Sequence, residues 1–272
     1  NNGMFCFDWG IHKNDAVAAN SDLGIPLFTN QAEFTLRDRF DSVEGLSGWK
    51  LDDTLSGAGL LRGGAAGFGA GPGNPADESD LKSQNVQLIN GFAEFLGHTN
   101  AYYAGLANNT SVIDITQGAE IIIGGDGNDT IQGRLGNDIL DGDAWLNVRL
   151  KIVQGGVTYS AESMSTSTAA MGQFAGKVYN TNPDGSPNFA SPAFGGQSLN
   201  SLMLAGTIDP GNLSIVREIK YDDTDVATAA RNLDTAVYRG NYAEYDIEGR
   251  ITTGPDGNFN FARVSDPQVD KL

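Results

Sequence analysis

A single cysteine, Cys6, excludes an intramolecular disulfide, and two histidines, His12 and His98, leave little for a histidine-rich metal or haem site. Basic residues are also scarce: 17 Lys and Arg stand against 34 Asp and Glu, for a net charge of −17. Such a surface repels nucleic acid and anionic membrane alike, so neither is expected as a partner. No run is long or apolar enough to span a bilayer, so no membrane insertion is expected. The N-terminal NNGMFCFDWG lacks a basic n-region, an apolar h-region and a starting methionine, so no signal peptide is visible. The C-terminal VSDPQVDKL stops just after a strand-like run, and both ends read as cut from a longer parent chain. H-E-x-x-H, G-x-S-x-G and paired cysteine–histidine spacings are missing too, so the chain shows no catalytic constellation.

What is present is a folded, turn-rich β chain. Hydrophobic residues make up 40% and charged residues 19%, which argues against bulk disorder. The 36 glycines, with abundant Asn, Asp, Ser and Thr, supply turns. The 272 residues suffice for one large domain or two smaller ones. Without disulfides a secreted protein needs another staple, and bound cations would also relieve the acidic excess. Residues 4–40 alternate apolar and polar positions in short runs, which predicts two or three strands. Residues 58–79 are rich in Gly, Ala and Pro and read as a flexible loop or linker. Leu81, Val86, Ile89, Phe92, Phe95 and Leu96 fall at helical spacing, predicting one helix near 80–97, capped by Ser79 or Asp80 and stopped at Gly97. Ile121–Ile123 reads as a short apolar strand. From 145 to 264 the pattern is again β (LNVRLKIV, LSIVREIKY, TAVYRGNYAEYDIEG, NFNFARV), interrupted by a polar, low-order stretch at 180–200.

The chemistry lies in a tandem repeat. Gly124–Gln132 reads GGDGNDTIQ and Gly133–Asp141 reads GRLGNDILD; a third unit begins at Gly142-Asp143 and breaks at Ala144-Trp145. The template G-G-x-G-x-D-x-U-x, with U a large apolar residue, is the calcium β-roll nonapeptide. Six residues form a tight turn in which glycines take backbone angles that side chains forbid. Turn carbonyls and the aspartate at position six are hard oxygen ligands suited to Ca²⁺. The last three residues form a strand whose apolar member, Ile131 or Leu140, points inward. Turns two units apart stack with calcium between them. Gly124–Asp129 is therefore expected against Gly142-Asp143, with Asp129 the main carboxylate. Asp138 falls on the opposite edge and needs a partner from outside the tandem run. The expected ligands are Asp129 and Asp138, with carbonyls of Gly124, Gly125, Gly127, Gly133 and Gly136, and Asp126, Asp141 and Asp143 in support. Arg134 replaces the second glycine of its unit. Upstream, Gly48–Gly57 (GWKLDDTLSG) reads as a degenerate unit in which Asp53 takes the place of Asp129.

These residues resemble the repeats-in-toxin (RTX, hemolysin-type) proteins. Residues 5–57 are similar to the segment preceding many RTX turns. The stretches at 121–150, 207–219 and 234–247 resemble the non-catalytic region of large secreted bacterial proteins that join animal-type haem peroxidase domains to RTX repeats. The resemblance implies type I secretion, an extracellular or cell-surface location, and folding on calcium after export. It does not make this chain a peroxidase.

The expected architecture is mainly β: a short parallel β-roll flanked by antiparallel β regions, with the one helix. The expected division is a β region with a degenerate unit (1–57), a Gly-rich linker plus helix (58–118), the calcium roll (119–145) and a C-terminal β region (146–272). Calcium is the expected cofactor, and the rest of a longer parent chain an expected partner. Two other roles are open: part of a haem peroxidase whose active site lies elsewhere, or an adhesin or matrix component that self-associates or holds a cell-surface partner. His12 and His98 read as surface histidines, Trp9, Trp49 and Trp145 as core residues, and Asp222, Asp223 and Asp225 as a solvated loop.

Overall fold

The computed structural model describes residues 7–25, 38–40, 43–58, 81–113, 119–134, 136–164, 176–221 and 233–238, and the backbone alone of 246–249 and 262–265. Residues 59–79 of the linker expected over 58–79, the caps Ser79 and Asp80 and the acidic run at 222–225 lie outside the described residues.

The fold is mainly β. The chain starts with four three-residue strands, β1 (Trp9–Ile11), β2 (Asn20–Asp22), β3 (Gly45–Ser47) and β4 (Thr54–Ser56). It then makes β5 (Leu81–Lys82), three short helices, α1 (Ser83–Val86), α2 (Phe92–Phe95) and α3 (Asn100–Gly105), and β6 (Ser111–Ile113). Three further short strands follow: β7 (Ile121–Ile123), β8 (Thr130–Gln132) and β9 (Ile139–Asp141). An antiparallel region comes next, with β10 (Ala144–Gln154), β11 (Val157–Ala161), β12 (Tyr179–Thr181), β13 (Pro187–Pro192), α4 (Leu199–Leu204) and β14 (Leu213–Tyr221). The last strands are β15 (Thr235–Ala236), β16 (Asp246–Gly249) and β17 (Ala262–Ser265).

The short strands build a parallel roll. One sheet has the order β1-β3-β7-β9 and the other β15-β8-β4-β2, every pair parallel. Successive strands alternate between the sheets, so each coil contributes one strand to each. Inside, Leu46 and Ile122 from the first sheet meet Leu55 and Ile131 from the second, with Ala19, Leu23, Phe40 and Val43 alongside and Leu140 packed against them. Gly10 leaves room for the Phe40 ring, which would lie 3.0 Å from a Cβ there.

Ile121, Ile122 and Ile123 are all fully buried because both faces of β7 are covered. Ile122 faces the roll interior, while Ile121 and Ile123 pack with Val86, Ile89, Phe92, Leu146 and Ile219. Each such side chain contributes about 1.5–3 kcal/mol. Ile122→Val is expected to cost about 0.5–1.5 kcal/mol, read as a lower urea midpoint in calcium buffer with an unchanged m-value.

Two expectations of local structure are corrected. The helix expected over 80–97 is broken: Leu81–Lys82 is a strand paired with β6, and α1 and α2 are single turns separated at Asn90-Gly91. Gly91 takes φ +77°, and Asn90 gives its backbone N–H to Arg217 and its carbonyl to Ile219 of β14. Tertiary pairing thus takes the groups a continuous helix would use. Gly97, at φ +80°, follows α2 as expected of a stop. The stretch at 180–200 is ordered rather than low-order. It holds β13 and the start of α4, whose Leu199 and Leu202 pack with Ile152, Val178 and Ile208. Its polar composition reflects one solvent-facing side.

The antiparallel sheet, β13-β12-β11-β10-β14, is joined to the roll by buried charge. The Lys13 ammonium, in the turn after β1, donates to Asn147 Oδ1 (2.5 Å), the Val148 carbonyl (2.9 Å) and the Glu162 carboxylate. Arg149 and Glu218 pair at 2.9 Å within the sheet. Gly155 and Gly156, at φ +58° and +80°, make the two-residue β10–β11 hairpin turn.

Candidate metal centre

The first edge of the roll is a stack of turns linking the first sheet to the second. It comprises residues 12–19, 48–53 and 124–129, with Gly142 above. Each turn ends at the residue before a second-sheet strand, and these form a column: Ala19, Asp53, Asp129 and Asp234. A hydrogen-bond ladder ties the column together. Ala19 N–H donates to Asp53 Oδ1 (2.6 Å), Asp53 N–H to Asp129 Oδ1 (2.7 Å), and Asp129 N–H to Asp234 Oδ1 (2.8 Å). Each carboxylate thus reaches back one coil and fixes the register of the next.

The second carboxylate oxygens differ. Asp53 Oδ2 accepts from Trp49 N–H at 3.1 Å. The equivalent donor beside Asp129, Gly125 N–H, goes instead to the Gly142 carbonyl at 2.7 Å. Among the described residues Asp129 Oδ2 is therefore buried with no hydrogen-bond partner. Burial pushes the Asp129 carboxyl up to about 8, with the negative charges of Asp53, Asp234 and Asp52 adding to it. Burial also raises Asp53. A side chain on Gly124 would collide with Asp129 Oδ2 and the Gly142 carbonyl, and one on Gly48 with Asp53 Oδ2 and the Gly124 carbonyl. The glycines keep this oxygen-lined space open.

Among the described residues no three acidic, histidine or cysteine side chains form a metal cluster. A cation here must draw on turn carbonyls as well as on carboxylates, which is how hard oxygen sites for Ca²⁺ are made. An orphaned carboxylate oxygen and a cradle that a Cβ would fill make the residues fit such an ion.

The second edge carries another acidic column, Asp8, Glu44, Glu120 and Asp138, each preceding a first-sheet strand. Asp8 N–H donates to Glu44 Oε2 (3.0 Å) and Glu120 N–H to Asp138 Oδ1 (3.0 Å). Burial raises Asp138 to about 6, its contacts with Glu120 acting the other way. Gly133 again lies where a side chain would strike Asp138 Oδ2. Arg134 takes φ +76°, a left-handed angle that costs a non-glycine residue about 1–2 kcal/mol.

The predicted residues thus fall on two edges. Gly124, Gly125, Asp126, Gly127 and Asp129 share the first with Asp53, Asp141, Gly142 and Asp143. Gly124 N–H donates to the Asp141 carbonyl (2.8 Å) and Asp126 N–H to that of Trp49 (2.7 Å), while Gly127 packs on Leu51 and Asp52. The Asp141 carboxylate caps its own turn, accepting from Asp143 N–H (3.0 Å) and Ala144 N–H (2.8 Å), and burial raises it to about 6. Gly133, Gly136 and Asp138 lie on the second edge, away from Asp129. Sequence reading missed Asp234, Glu44, Glu120 and Asp8. For Asp234 a signal exists: Asp53-Thr54, Asp129-Thr130 and Asp234-Thr235 are the same dipeptide at the same place in three coils.

The expectation of a surface His12 is corrected, because its ring is used inside the first coil. His12 is buried, with Nδ1 2.8 Å from Asp15 and Nε2 2.8 Å from Ser21 Oγ. The Ser–His–Asp order looks like a nucleophile relay, yet Ser21 is only 1% exposed and donates its hydroxyl to Asp38 (3.0 Å). The cluster closes the one coil of this edge whose column residue is alanine. His98 is exposed, stacked on Tyr102. Trp49 is buried, while Trp9 and Trp145 are half-buried.

A parallel roll whose strands β7, β8 and β9 recur every nine residues, joined by aspartate-bearing glycine turns, is the arrangement of calcium-binding nonapeptide repeats. Residues 114–144 match the RTX calcium-binding nonapeptide repeat (4 copies), whose repeats bind Ca²⁺. No curated protein and no solved structure matches the chain. Among the described residues no helix is long and apolar enough to cross a membrane.

Proposed function

We propose that this chain is a calcium-binding structural module of a large secreted bacterial RTX protein, folding on calcium after export. The observation that carries the reading is the buried Asp129 Oδ2, without a partner among the described residues, within a column of three aspartates. Asp129 holds the ion, with Asp53 and Asp234 flanking it. Carbonyls of the 124–129 and 142–143 turns (Gly124, Gly125 and Gly127 among them) complete the ligands, and Asp126, Asp141 and Asp143 add negative field. Gly133, Gly136 and Asp138, beside Glu120, offer a second position across the roll. Calcium supplies the positive charge that lets these carboxylates be buried ionised, and so converts binding energy into folding energy. In a low-calcium cytosol the first edge of the roll stays loose, which suits export. A haem-peroxidase-bearing parent is carried by the resemblance of 121–150, 207–219 and 234–247.

Calcium titration of the whole chain by calorimetry and circular dichroism tests this. Binding accompanied by a gain in β signal is expected. A chain whose spectrum and melting temperature ignore millimolar calcium would leave the glycine turns as plain loops.

A further inference from the structure

We infer that Arg134 is a tethered cation: its guanidinium replaces one calcium ion along the second edge, tying the turns after β2, β4 and β8 there without metal and leaving the position at Gly136 and Asp138 as that edge's other seat. The inference rests on the calcium reading of the first edge and adds to it which part of the roll does not need the ion.

The two edges share one construction but differ at the second position of the turn. On the first edge that residue is Gly125, which carries no side chain, and the carboxylate beside it keeps an unused oxygen. On the second edge it is Arg134, held at the left-handed angle that the glycine template prefers. Its side chain runs across the neighbouring turn. Nη1 donates to the Gly57 carbonyl (2.8 Å) and to Asp22 Oδ1 (2.7 Å), while Nη2 donates to Asp22 Oδ2 (2.6 Å). One positive group therefore ties the turns after β2, β4 and β8. It does so through a turn carbonyl and a carboxylate, the ligand types a calcium ion would take. Gly24 completes the seat: a Cβ there would come within 2.6 Å of Nη1 and 2.9 Å of the Ala58 carbonyl. A planar fork bound at both oxygens of a carboxylate is a strong, oriented contact, and unlike a calcium ion it cannot dissociate from the chain. The Arg134–Asp22 pair is mostly shielded, its side chains 18% and 14% exposed.

The test compares the whole wild-type chain with Arg134→Gly and Asp22→Asn. The first variant restores the template and suits the positive φ. In chelator, the wild-type Leu23 and Gly57 amides, which donate to Ser56 and Gln132, should keep slow hydrogen exchange. Arg134→Gly should lose that protection at least about tenfold in chelator, regain it with calcium, and bind one more calcium by calorimetry. Asp22→Asn should lose the protection without gaining an ion. An Arg134→Gly chain with wild-type stoichiometry, or with unchanged protection in chelator, overturns the inference. Should Arg134→Gly not fold even in calcium, Asp22→Asn decides, and unchanged protection there overturns it equally. A wild-type chain that binds no calcium removes the calcium reading itself and this inference with it. Wild-type binding with no difference between variants removes this inference alone.

Discussion

Asp129→Asn is expected to weaken calcium binding by about 10- to 100-fold, the scale of one charge-assisted contact of about 1.5–3 kcal/mol. In chelator the same change is expected to raise the melting temperature. The two effects have one cause. Asp129 is fully buried, one of its oxygens has no partner among the described residues, and Asp53 and Asp234 lie beside it. With calcium absent, the ionised form is a cost to the folded chain, and a neutral amide removes that cost. Asparagine keeps an oxygen that can accept from Asp53 N–H, so the ladder survives the exchange. Calorimetry against calcium and thermal unfolding in chelator measure the two halves separately. An affinity equal to wild type would remove Asp129 from the ligand set. A lower melting temperature in chelator would mean that the carboxylate is a structural acceptor and not a vacated cation seat.

Where a residue's role is set within its own turn, the sequence was readable. Ile121–Ile123, the two tandem turns and the stacking of Gly124 on Gly142 follow from nine-residue periodicity, because a turn of six and a strand of three leave no other register. The degenerate unit at Gly48–Gly57 was also legible, through the Asp-Thr-apolar ending it shares with Gly124–Gly133. What depends on distant segments was not. Asp234 joins the column only because β15 pairs with β8 across about a hundred residues of intervening chain, and no local pattern counts such an excursion. Glu44 and Glu120 precede strands lying in no recognisable unit, so their place opposite Asp138 emerges only once β3, β7 and β9 are aligned. The helix at 80–97 failed for a related reason, since Asn90 is claimed by β14. His12 looked like a surface residue because its partners Ser21 and Asp38 are brought to it by the coil itself.

Without calcium, stability is expected to rise as pH falls from about 8 toward 5, the reverse of ordinary acid denaturation. Burial raises Asp129 to about 8, and Asp138 and Asp141 to about 6, whereas in the unfolded chain such groups titrate near 4. Between those values the folded chain holds more protons than the unfolded one, so unfolding becomes easier as pH rises. The stabilising contribution is complete below about pH 4. It is lost through about pH 6 for Asp138 and Asp141, and through about pH 8 for Asp129. Calcium must displace the same protons, so its affinity should climb across the window where the metal-free roll weakens. At a thousandfold excess over its dissociation constant, the ion adds about 4 kcal/mol, enough to flatten or invert the profile. Urea melts from pH 5 to pH 8.5, in chelator and in calcium, distinguish these curves. A metal-free chain that grows more stable with rising pH would mean that these carboxylates are already compensated within the protein. The predicted slope instead makes neutral to mildly alkaline, calcium-poor conditions the least favourable to the closed roll, so that at constant pH the ion's arrival closes it.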